Sequence, residues 1–257
     1  MKHPLPTLLL AVCCGLAAAC TQRQERLKLM SYNIRNGIGI DNIQDIGRIA
    51  RVILREAPDL VALQELDSAT LRVDGRYIPG ELGRMTGMHA TFGRAIGFAG
   101  GSYGIGLLSR TEPLAVRSIP LPGREEARVL LMAEFPDYTV CITHLSLTPE
   151  DRLASLPIIR EATDTCRKPV LLAGDFNTGN AAAVLAGLGG GFRILSDTTR
   201  MTFPSDNPAV RIDYILGRGL PTSATVAESA VDHTATASDH CPLWVTLVWK
   251  RGKQPGK

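Results

Sequence analysis

The sequence of 257 residues lacks a Pro/Ser-rich linker, a long block of like charge and an internal repeat. Nothing in its composition therefore divides it into two domains. Its 45% hydrophobic and 21% charged residues are a globular balance, and the chain is long enough to bury a sizeable core. We expect one large α/β domain.

Cysteine is scarce beyond the first twenty residues. Of six cysteines, three precede residue 21 and three remain, namely Cys141, Cys166 and Cys241. An odd and sparse set does not build a disulfide framework. A Cys141–Cys241 bridge stays open at this point, because each lies close in sequence to a candidate site residue.

The chain also lacks the positive field and the aromatic content typical of nucleic-acid binders. Its formal net charge of +3 includes cations close to the two ends: Lys2, Lys250, Arg251, Lys253 and Lys257. Aromatic residues make up 5% of the chain, and no insertion rich in Lys, Arg and aromatics is present to hold a duplex. Nucleic acid is therefore an alternative partner and not the favoured one.

The N-terminal segment is expected to be a targeting signal and not a part of the folded domain. The apolar residues 8–19 are too short to span a bilayer as a helix, and they end in Ala17-Ala18-Ala19-Cys20. Small residues directly before a cysteine resemble a bacterial lipobox with Cys20 as the lipidated residue, although Ala17 stands where Leu is preferred. The alternative is a secretory peptide cut after Ala19, which gives a periplasmic or secreted protein.

These features predict the domain organisation and the location. We expect a signal segment at residues 1–20, a short tether at 21–26, the folded domain at 27–250 and a basic tail at 251–257. Thr21 is not an acidic retention signal, so lipidation predicts an outer-membrane lipoprotein of a Gram-negative host. The membrane would then be a partner through Cys20, and we expect a monomer.

Several apolar runs that predict buried strands stop at polar side chains. After the runs 27–32, 60–63, 138–143 and 170–173 come, in order, Asn33, Gln64-Glu65, His144 and Gly174-Asp175-Phe176-Asn177. A carboxylate at the mouth of a buried strand is costly unless it has a partner or a function. Each stretch taken singly is more often a turn or a surface cap. Their repetition indicates one shared polar site.

Three further stretches carry polar groups of the same kind. They are Tyr103-Gly104 at the entry to the predicted strand 105–110, Asp213 inside the predicted strand 211–216, and Ser238-Asp239-His240 before the strand 244–249. Tyr103 is either a hydrogen-bond donor to phosphate or an aromatic ring packed over glycines. A carboxylate inside a strand, such as Asp213, usually has a partner.

Helical spacing and capping residues predict four helices. They are a helix capped by Asp41 or Asn42 and running to Ala57, residues 80–87, a helix opened by Thr148-Pro149-Glu150-Asp151, and residues 180–188. Pro157 should kink or shorten the third. Residues 127–135 and 138–143 predict paired strands. The glycine-rich residues 93–104 predict a loop, which is not a P-loop because no Gly-Lys-Ser/Thr follows.

Taken in order, these motifs resemble one known family. The set Tyr32-Asn33-Ile34-Arg35, Gln64-Glu65, Tyr103-Gly104, Thr143-His144-Leu145, Gly174-Asp175-Phe176-Asn177, Arg211-Ile212-Asp213-Tyr214 and Ser238-Asp239-His240 is similar to the endonuclease/exonuclease/phosphatase (DNase I-like) superfamily. The resemblance covers essentially the whole chain after the leader. It implies an α/β fold, a four-layer α/β/β/α sandwich of two mixed sheets, with the site at the strand ends between them.

The resemblance also implies a divalent metal. Glu65 would bind Mg²⁺, or alternatively Mn²⁺, with Asn33 and Asp239 nearby as direct or water-mediated ligands. Mg²⁺ takes few carboxylates and keeps several waters, which suits this small set.

The remaining motif residues take catalytic roles in the same resemblance. Asp175 would orient and deprotonate the attacking water, and Asn177 would hold that water and a phosphoryl oxygen. His240 would contact the scissile phosphate, with Asp213 fixing its tautomer. His144 would donate to another phosphate oxygen or aid the leaving group. Further candidates for phosphate binding are Arg35, Arg72, Arg94 and Arg128.

The substrate is less well defined by the sequence. Residues 80–110 resemble the uncharacterised bacterial metal-dependent hydrolase branch of the family more than the DNA-repair or DNase I branches. The leading hypothesis is therefore an exported Mg²⁺-dependent phosphodiesterase or phosphatase acting on a small or lipid-derived phosphoester. The alternatives are a non-specific endonuclease and a catalytically silent binding module on the same fold. The complete polar set argues against the silent module.

Overall fold

The computed structural model describes residues 24–250, which form twelve strands and four α-helices. The strands are β1 (Gln24–Asn33), β2 (Leu60–Ser68), β3 (His89–Phe98), β4 (Gly101–Ser109), β5 (Ala115–Leu121), β6 (Arg128–Glu134), β7 (Thr139–His144), β8 (Val170–Asp175), β9 (Arg193–Ile194), β10 (Asp213–Arg218), β11 (Thr225–Val231) and β12 (Leu243–Lys250). The helices are α1 (Ile46–Glu56), α2 (Ile78–Thr86), α3 (Pro149–Asp164) and α4 (Ala181–Leu188).

The strands form two mixed six-stranded sheets that pack face to face. The first has the order β11-β12-β1-β2-β4-β3, with β1 and β2 parallel, and the second has the order β5-β6-β7-β8-β10-β9, with β7 and β8 parallel. Aliphatic side chains from both sheets, such as Leu29 and Ile142, fill the space between them. The central strands are apolar because both of their faces are buried.

Two outer cores attach the helices to the sheets. One contains Ile49 of α1 and Leu82 of α2 against the first sheet, and the other contains Ile159 of α3 and Leu188 of α4 against the second. The predicted four-layer α/β/β/α sandwich is confirmed.

The helices differ from the sequence prediction at their ends. Asp45, and not Asp41 or Asn42, caps α1 by accepting a hydrogen bond from the Gly47 amide. The helix α3 is not shortened at Pro157 but continues to Asp164. The side chain of Thr148 does not cap α3, because its hydroxyl donates to Glu125 instead.

The glycine-rich residues 93–104 are not a loop. They belong to the hairpin of β3 and β4, in which a Cβ on Gly104 would lie 2.1 Å from the carbonyl oxygen of Gly93. Glycine is therefore needed for the close approach of two strands, which the sequence pattern alone does not distinguish from a flexible loop. The prediction that Asp213 lies inside a strand was also wrong, since it is the first residue of β10.

The described residues include part of the predicted tether but not the predicted signal segment or basic tail. Residues 24–26, expected in the tether, belong to β1. The signal segment, the lipobox cysteine Cys20 and the basic tail lie outside the described residues. The three cysteines among the described residues, Cys141, Cys166 and Cys241, are free thiols, so Cys141 and Cys241 are not bridged.

Within residues 24–250, no helix has both the length and the apolar character needed to cross a bilayer.

Candidate active site

The predicted polar residues meet where the central strands of both sheets end. Parallel β7 and β8 bring His144 and Asp175 into register as neighbours. The parallel pairing of β1 with β2 ends at Asn33 and Gln64, next to Glu65. Antiparallel β10 places Asp213 directly opposite Asp175. This is why residues far apart in sequence lie at one edge of the sandwich.

A cavity of about 380 Å³ opens at this edge. Polar residues line most of it, namely Glu65, Tyr103, Glu126, Arg128, His144, Asp175, Asn177, Asp239 and His240, beside the apolar Leu147, Phe203 and Ile212. Asn33 and Asp213 lie behind this lining and bond to it. The structure thus brings together every catalytic and metal-binding candidate of the sequence analysis.

A larger cavity of about 510 Å³ lies elsewhere, at the opposite end of the second sheet beside Arg117, Cys166 and Lys168. Two of the cations there are already engaged, since Arg117 donates to the Ala162 carbonyl and Lys168 pairs with Glu134. The smaller cavity is the better site because the convergent buried polar groups surround it.

Asp175 is the centre of the polar cluster, with 1% of its surface exposed. Its Oδ2 accepts a hydrogen bond from Asn33 Nδ2 at 3.1 Å and lies 3.5 Å from His144 Nε2 and 3.7 Å from His240 Nε2. Its Oδ1 accepts from the backbone amide of Asn177 at 2.8 Å. A carboxylate held among donors in this way is suited to receive a proton at a fixed position.

The two histidines that face Asp175 have different electrostatic surroundings. Burial lowers the pKa of His240, but Asp213 and Asp175 outweigh it and raise that pKa well above its usual value. Burial and the Arg128 cation hold the pKa of His144 well below its usual value. Burial, followed by the charge of Asp213, raises the pKa of Asp175. Near neutral pH, His240 is therefore charged and His144 is neutral.

His240 is fixed in position from several sides. Its Nδ1 lies 3.0 Å from Asp213 Oδ2, and its ring packs 4.8 Å from that of Phe203. Its backbone amide donates to Ser238 Oγ, which in turn donates to the Asn33 carbonyl at 2.7 Å. This arrangement leaves Nε2 directed toward Asp175 and the cavity.

The oxygen-rich part of the cavity fits a hard divalent cation. Glu65 lies in a β-bulge of β2 and has a φ of 59°, which is a strained conformation for this residue. Its side chain lines the cavity. Asn33 Nδ2 donates to Glu65 Oε1 at 3.0 Å, and Asp239 carries a second half-buried carboxylate in the lining. Carboxylate oxygens of this kind are the ligands that Mg²⁺ and Mn²⁺ take.

A second group is also compatible with a metal. Asp175, Asp213 and His240 offer ligand atoms within 4.8 Å of one another, and all three are buried. Both ring nitrogens of His240 already face carboxylates, however, so hydrogen bonding accounts for this group. The side of the cavity that holds Glu65 and Asp239 is therefore the better candidate for a metal site.

Asn177 and Tyr103 both line the cavity. Asn177 has φ of 51°, and its Nδ2 donates to the Leu145 carbonyl at 2.8 Å, which fixes its amide group next to Asp175. Tyr103 is largely buried and contacts the Phe98 ring and the Arg72 guanidinium group. Tyr103 therefore packs in the wall of the cavity and also faces its interior.

The four candidate arginines have different positions. Arg128 lines the cavity, and Arg35 Nε lies 3.5 Å from Asp239 Oδ2 at its rim. Arg72 pairs with the buried Asp67 and stacks on Tyr103. Arg94 is exposed on β3 and is not part of the lining.

Glu126 also lines the cavity, although it follows none of the apolar runs that predicted the site. Glu126 precedes β6, whose antiparallel pairing of Leu130 with Thr143 places the start of β6 beside the end of β7. Burial, with Arg128 opposing it, raises the pKa of Glu126. The sequence sign of Glu126 is a charged run before the apolar strand β6. That run lies at the edge of the sheet that holds the site only because β6 is antiparallel to β7.

Comparisons with solved structures show the same fold. An endonuclease/exonuclease/phosphatase family protein from Bacteroides thetaiotaomicron aligns with a TM-score of 0.72 at 20% identity, covering 89% of this chain and 100% of that one. A mannosyl-6-phosphatase from B. thetaiotaomicron VPI-5482 aligns at 0.68 and 19%, covering 86% and 99%. D. rerio TDP2 complexed with a single-stranded DNA product aligns at 0.65 and 22%, covering 86% and 98%.

Sequence comparison gives the family. A search of curated protein sequences returned no match. The family model described as "Endonuclease/Exonuclease/phosphatase family" matches residues 30–240, which span every polar stretch of the site. Members of this family are phosphoester hydrolases that generally use divalent metals, and the buried carboxylate and histidine groups are compatible with that chemistry. The chain therefore belongs to the endonuclease/exonuclease/phosphatase family.

Proposed function

We propose that this enzyme is an exported Mg²⁺-dependent phosphoesterase that hydrolyses a small or lipid-derived phosphodiester or phosphomonoester by in-line attack of water. The observation that carries the proposal is the position of Asp175. Its Oδ2 is the point on which Asn33, His144 and His240 converge at 3.1, 3.5 and 3.7 Å.

Proton transfer from water is assigned to Asp175. A raised pKa makes this carboxylate a better base than an exposed aspartate, while the Asn177 amide and Asn33 keep it oriented. As the water attacks, negative charge grows on the non-bridging phosphoryl oxygens. The charged His240, held by Asp213, donates to one of those oxygens from Nε2, and His144 donates to another.

Glu65 and Asp239 are the residues proposed to hold the divalent cation, with Asn33 orienting Glu65. When bound, the cation would supply electrostatic stabilisation of phosphoryl charge. Mg²⁺ is proposed over a softer metal because these ligands are carboxylate oxygens.

The proposed substrate class follows from the shape of the cavity. A volume of about 380 Å³ suits one phosphoester group with a modest organic substituent. Leu147, with 65% of its surface exposed, stands in the lining with Phe203 and Ile212 and offers apolar contact for such a substituent. A phosphorylated small molecule and a phospholipid head group share this chemistry.

Turnover of several phosphoesters by a soluble form beginning at Thr21 tests the proposal. The substrates are 4-nitrophenyl phosphate, bis(4-nitrophenyl) phosphate, phospholipid vesicles and supercoiled plasmid, each with Mg²⁺ or with EDTA. Asp175→Asn should lower turnover by about 10²- to 10⁴-fold because it removes the proton acceptor. Glu112→Gln, an exposed carboxylate-to-amide change away from the cavity, is the matched control and should leave turnover unchanged.

Each outcome separates the proposal from its alternatives. Mg²⁺-dependent cleavage of the small or lipid substrates that requires Asp175 supports it. Plasmid nicking with the same requirements, without cleavage of the others, favours the endonuclease. Absence of turnover together with absence of metal binding favours the silent module.

We propose in addition that Cys20 is lipidated and anchors the enzyme as a monomer to the outer membrane. The support is the apolar leader that ends in small residues before Cys20. Incorporation of radiolabelled palmitate into the full chain, lost in Cys20→Ala, is the expected result. Labelling that persists in Cys20→Ala would contradict it, and cell fractionation and size-exclusion chromatography would test location and oligomeric state.

A further inference from the structure

Arg128 makes a contact in the active site that differs from an ordinary phosphate-binding role. Arg128 is the first residue of β6 and is 6% exposed. The start of β6 lies beside the end of the antiparallel β7, so the side chain of Arg128 reaches His144. Its Nη1 lies 3.4 Å from His144 Nδ1. The second ring nitrogen, Nε2, lies 3.5 Å from Asp175 Oδ2.

The chemistry of the guanidinium group decides which nitrogen of His144 carries the proton. An arginine offers five N–H donors and no acceptor, and it stays charged in proteins. A nitrogen that faces it must therefore present a lone pair, so His144 Nδ1 is the acceptor. The single ring proton of His144 is then on Nε2, toward Asp175 and the cavity.

The charge of Arg128 is already paired within the protein. Its Nη1 also donates to Glu126 Oε1 at 2.7 Å, and its Nη2 lies 3.5 Å from Glu125 Oε1. These two contacts fix the guanidinium plane against His144. The same pairing leaves Arg128 less able to act as the main cation for a phosphate group than a free arginine would be.

The two histidines of the site therefore have opposite partners at the same ring position. His240 presents Nδ1 to the carboxylate of Asp213, which requires a proton there, whereas His144 presents Nδ1 to a cation. The other charged groups that act on His144 are His240, Asp175 and Glu125. The carboxylates favour a protonated ring, but Arg128 is in direct contact with Nδ1 and excludes a proton from it.

We infer that Arg128 is a positioning residue that holds His144 as a neutral imidazole with its proton on Nε2. This rests on the proposed phosphoester hydrolysis for its functional meaning. His144 then gives the phosphoryl group a hydrogen bond without transferring a proton. Any proton that the leaving group receives comes from His240 or from water.

Nitrogen-15 NMR of the histidine rings in the soluble form beginning at Thr21, without substrate, tests the inference directly. His144 should show a pyridine-type Nδ1 and a pyrrole-type Nε2 at neutral pH. His144→Gln and His240→Gln assign the signals. A protonated Nδ1 on His144 in the wild-type protein would overturn the inference, whatever any variant does.

Arg128→Met gives the second test. It removes the cation, so His144 should exchange between tautomers, and the pKa of its ring should rise while burial still holds it below its usual value. Arg124→Met, an exposed arginine of the same connection that pairs with Asp151, is the matched control and should leave the His144 signals unchanged. Unchanged His144 signals in a folded Arg128→Met protein would overturn the inference.

Kinetics separate positioning from phosphate binding. Arg128→Met should lower kcat by about 10- to 100-fold with little change in KM, as loss of a group that orients an imidazole does. In a His144→Ala background the same change should cost less than about 2-fold, because the two residues act as one unit. Independent, multiplicative losses with a raised KM would overturn the inference in favour of direct phosphate contact. The NMR result stands without turnover, so failure of the proposed function is distinguishable from failure of the tautomer assignment.

Discussion

Glu125 shows how a single carboxylate orders the loop beside the cavity. Its two oxygens accept hydrogen bonds from Ser146 Oγ at 2.7 and 2.9 Å, from the Leu147 amide at 2.7 Å and from Thr148 Oγ1 at 3.1 Å. Burial raises the pKa of Glu125, but these hydrogen bonds outweigh it and lower the pKa to about 2. The connection between β7 and α3 thus depends on an ionised side chain.

The low pKa of Glu125 predicts a pH dependence of stability. Its pKa is depressed in the folded state relative to the ordinary 4.5, so the ionised side chain stabilises the protein above about pH 4.5, and this contribution is lost as pH falls toward 2. Glu125→Gln should therefore lower the urea midpoint at about pH 7 and lower it less at about pH 3, where part of the contribution is already lost. Glu112→Gln serves as the control, with the same small effect at both pH values. An equal loss at both pH values for Glu125→Gln would contradict the prediction.

At the scale of single residues, the sequence predicted which polar side chains lie together, because these groups interrupt apolar strands. Asp175 and His144 end strands, so their type and position were visible without coordinates. Glu126 was missed because a charged residue before a strand is ordinarily a surface residue. The tautomer of His144 was also out of reach, since it depends on a contact with Arg128 across two strands.

At the scale of secondary-structure elements, Gly174 allows the close approach of β7 and β8. It has φ of 156°, and a Cβ at this position would lie 2.0 Å from the carbonyl oxygen of Thr143 on the neighbouring strand. That oxygen is backbone and has no rotamer to change. The strands that present His144 and Asp175 would have to separate to admit a methyl group.

Gly174→Ala should therefore destabilise the protein and also impair catalysis. We expect a loss of about 1–3 kcal/mol in the free energy of unfolding from overpacking, with a fall in kcat greater than the change in KM. Gly179→Ala is the matched control, because its nearest neighbour, the Arg211 carbonyl oxygen, is 3.7 Å from the added carbon. Urea unfolding and steady-state kinetics measure both effects. Wild-type stability in Gly174→Ala would show that the sheet adapts.

The helix α3 provides a test of element stability away from the chemistry. Pro157 lies on its exposed face, between the buried Leu156 and Ile159, and cannot donate to the carbonyl of Leu153. Pro157→Ala restores that donor and should stabilise the protein by about 1–3 kcal/mol. Pro149→Ala, at the first helical position where no such bond exists, should change little. A lower melting temperature for Pro157→Ala would show that the proline is required by its surroundings.

The elements also show where sequence patterns mislead. A proline predicted the end or a kink of α3, yet packing of Leu156 and Ile159 keeps the helix continuous past it. The glycines of residues 93–104 predicted a loop, yet they allow β3 and β4 to approach closely. In both cases tertiary packing overrides a local preference, and the sequence of one segment alone does not contain that information.

At the scale of the whole molecule, the order of motifs carried the fold prediction. Two sheets whose central parallel strands end at one edge collect Asn33, Glu65, His144 and Asp175 there. Residues of antiparallel strands join the same edge at their starts, as Asp213 does. Local periodicity alone would give strands and helices but not this convergence, because strand order and direction are long-range properties.

The convergence of carboxylates at one edge predicts that a bound cation stabilises the folded protein. Mg²⁺ that binds only the native state adds RT ln(1 + [L]/Kd), which is about 2.7 kcal/mol at 100 times Kd. The melting temperature should therefore rise with Mg²⁺ concentration in the wild-type protein. In Glu65→Gln, which removes the carboxylate that the β2 bulge turns into the cavity, the rise should be much smaller. Glu112→Gln should respond like the wild-type protein. An undiminished rise in Glu65→Gln would move the metal to the Asp175, Asp213 and His240 group, and a Mg²⁺ response lost in Asp213→Asn would then identify that group as the site.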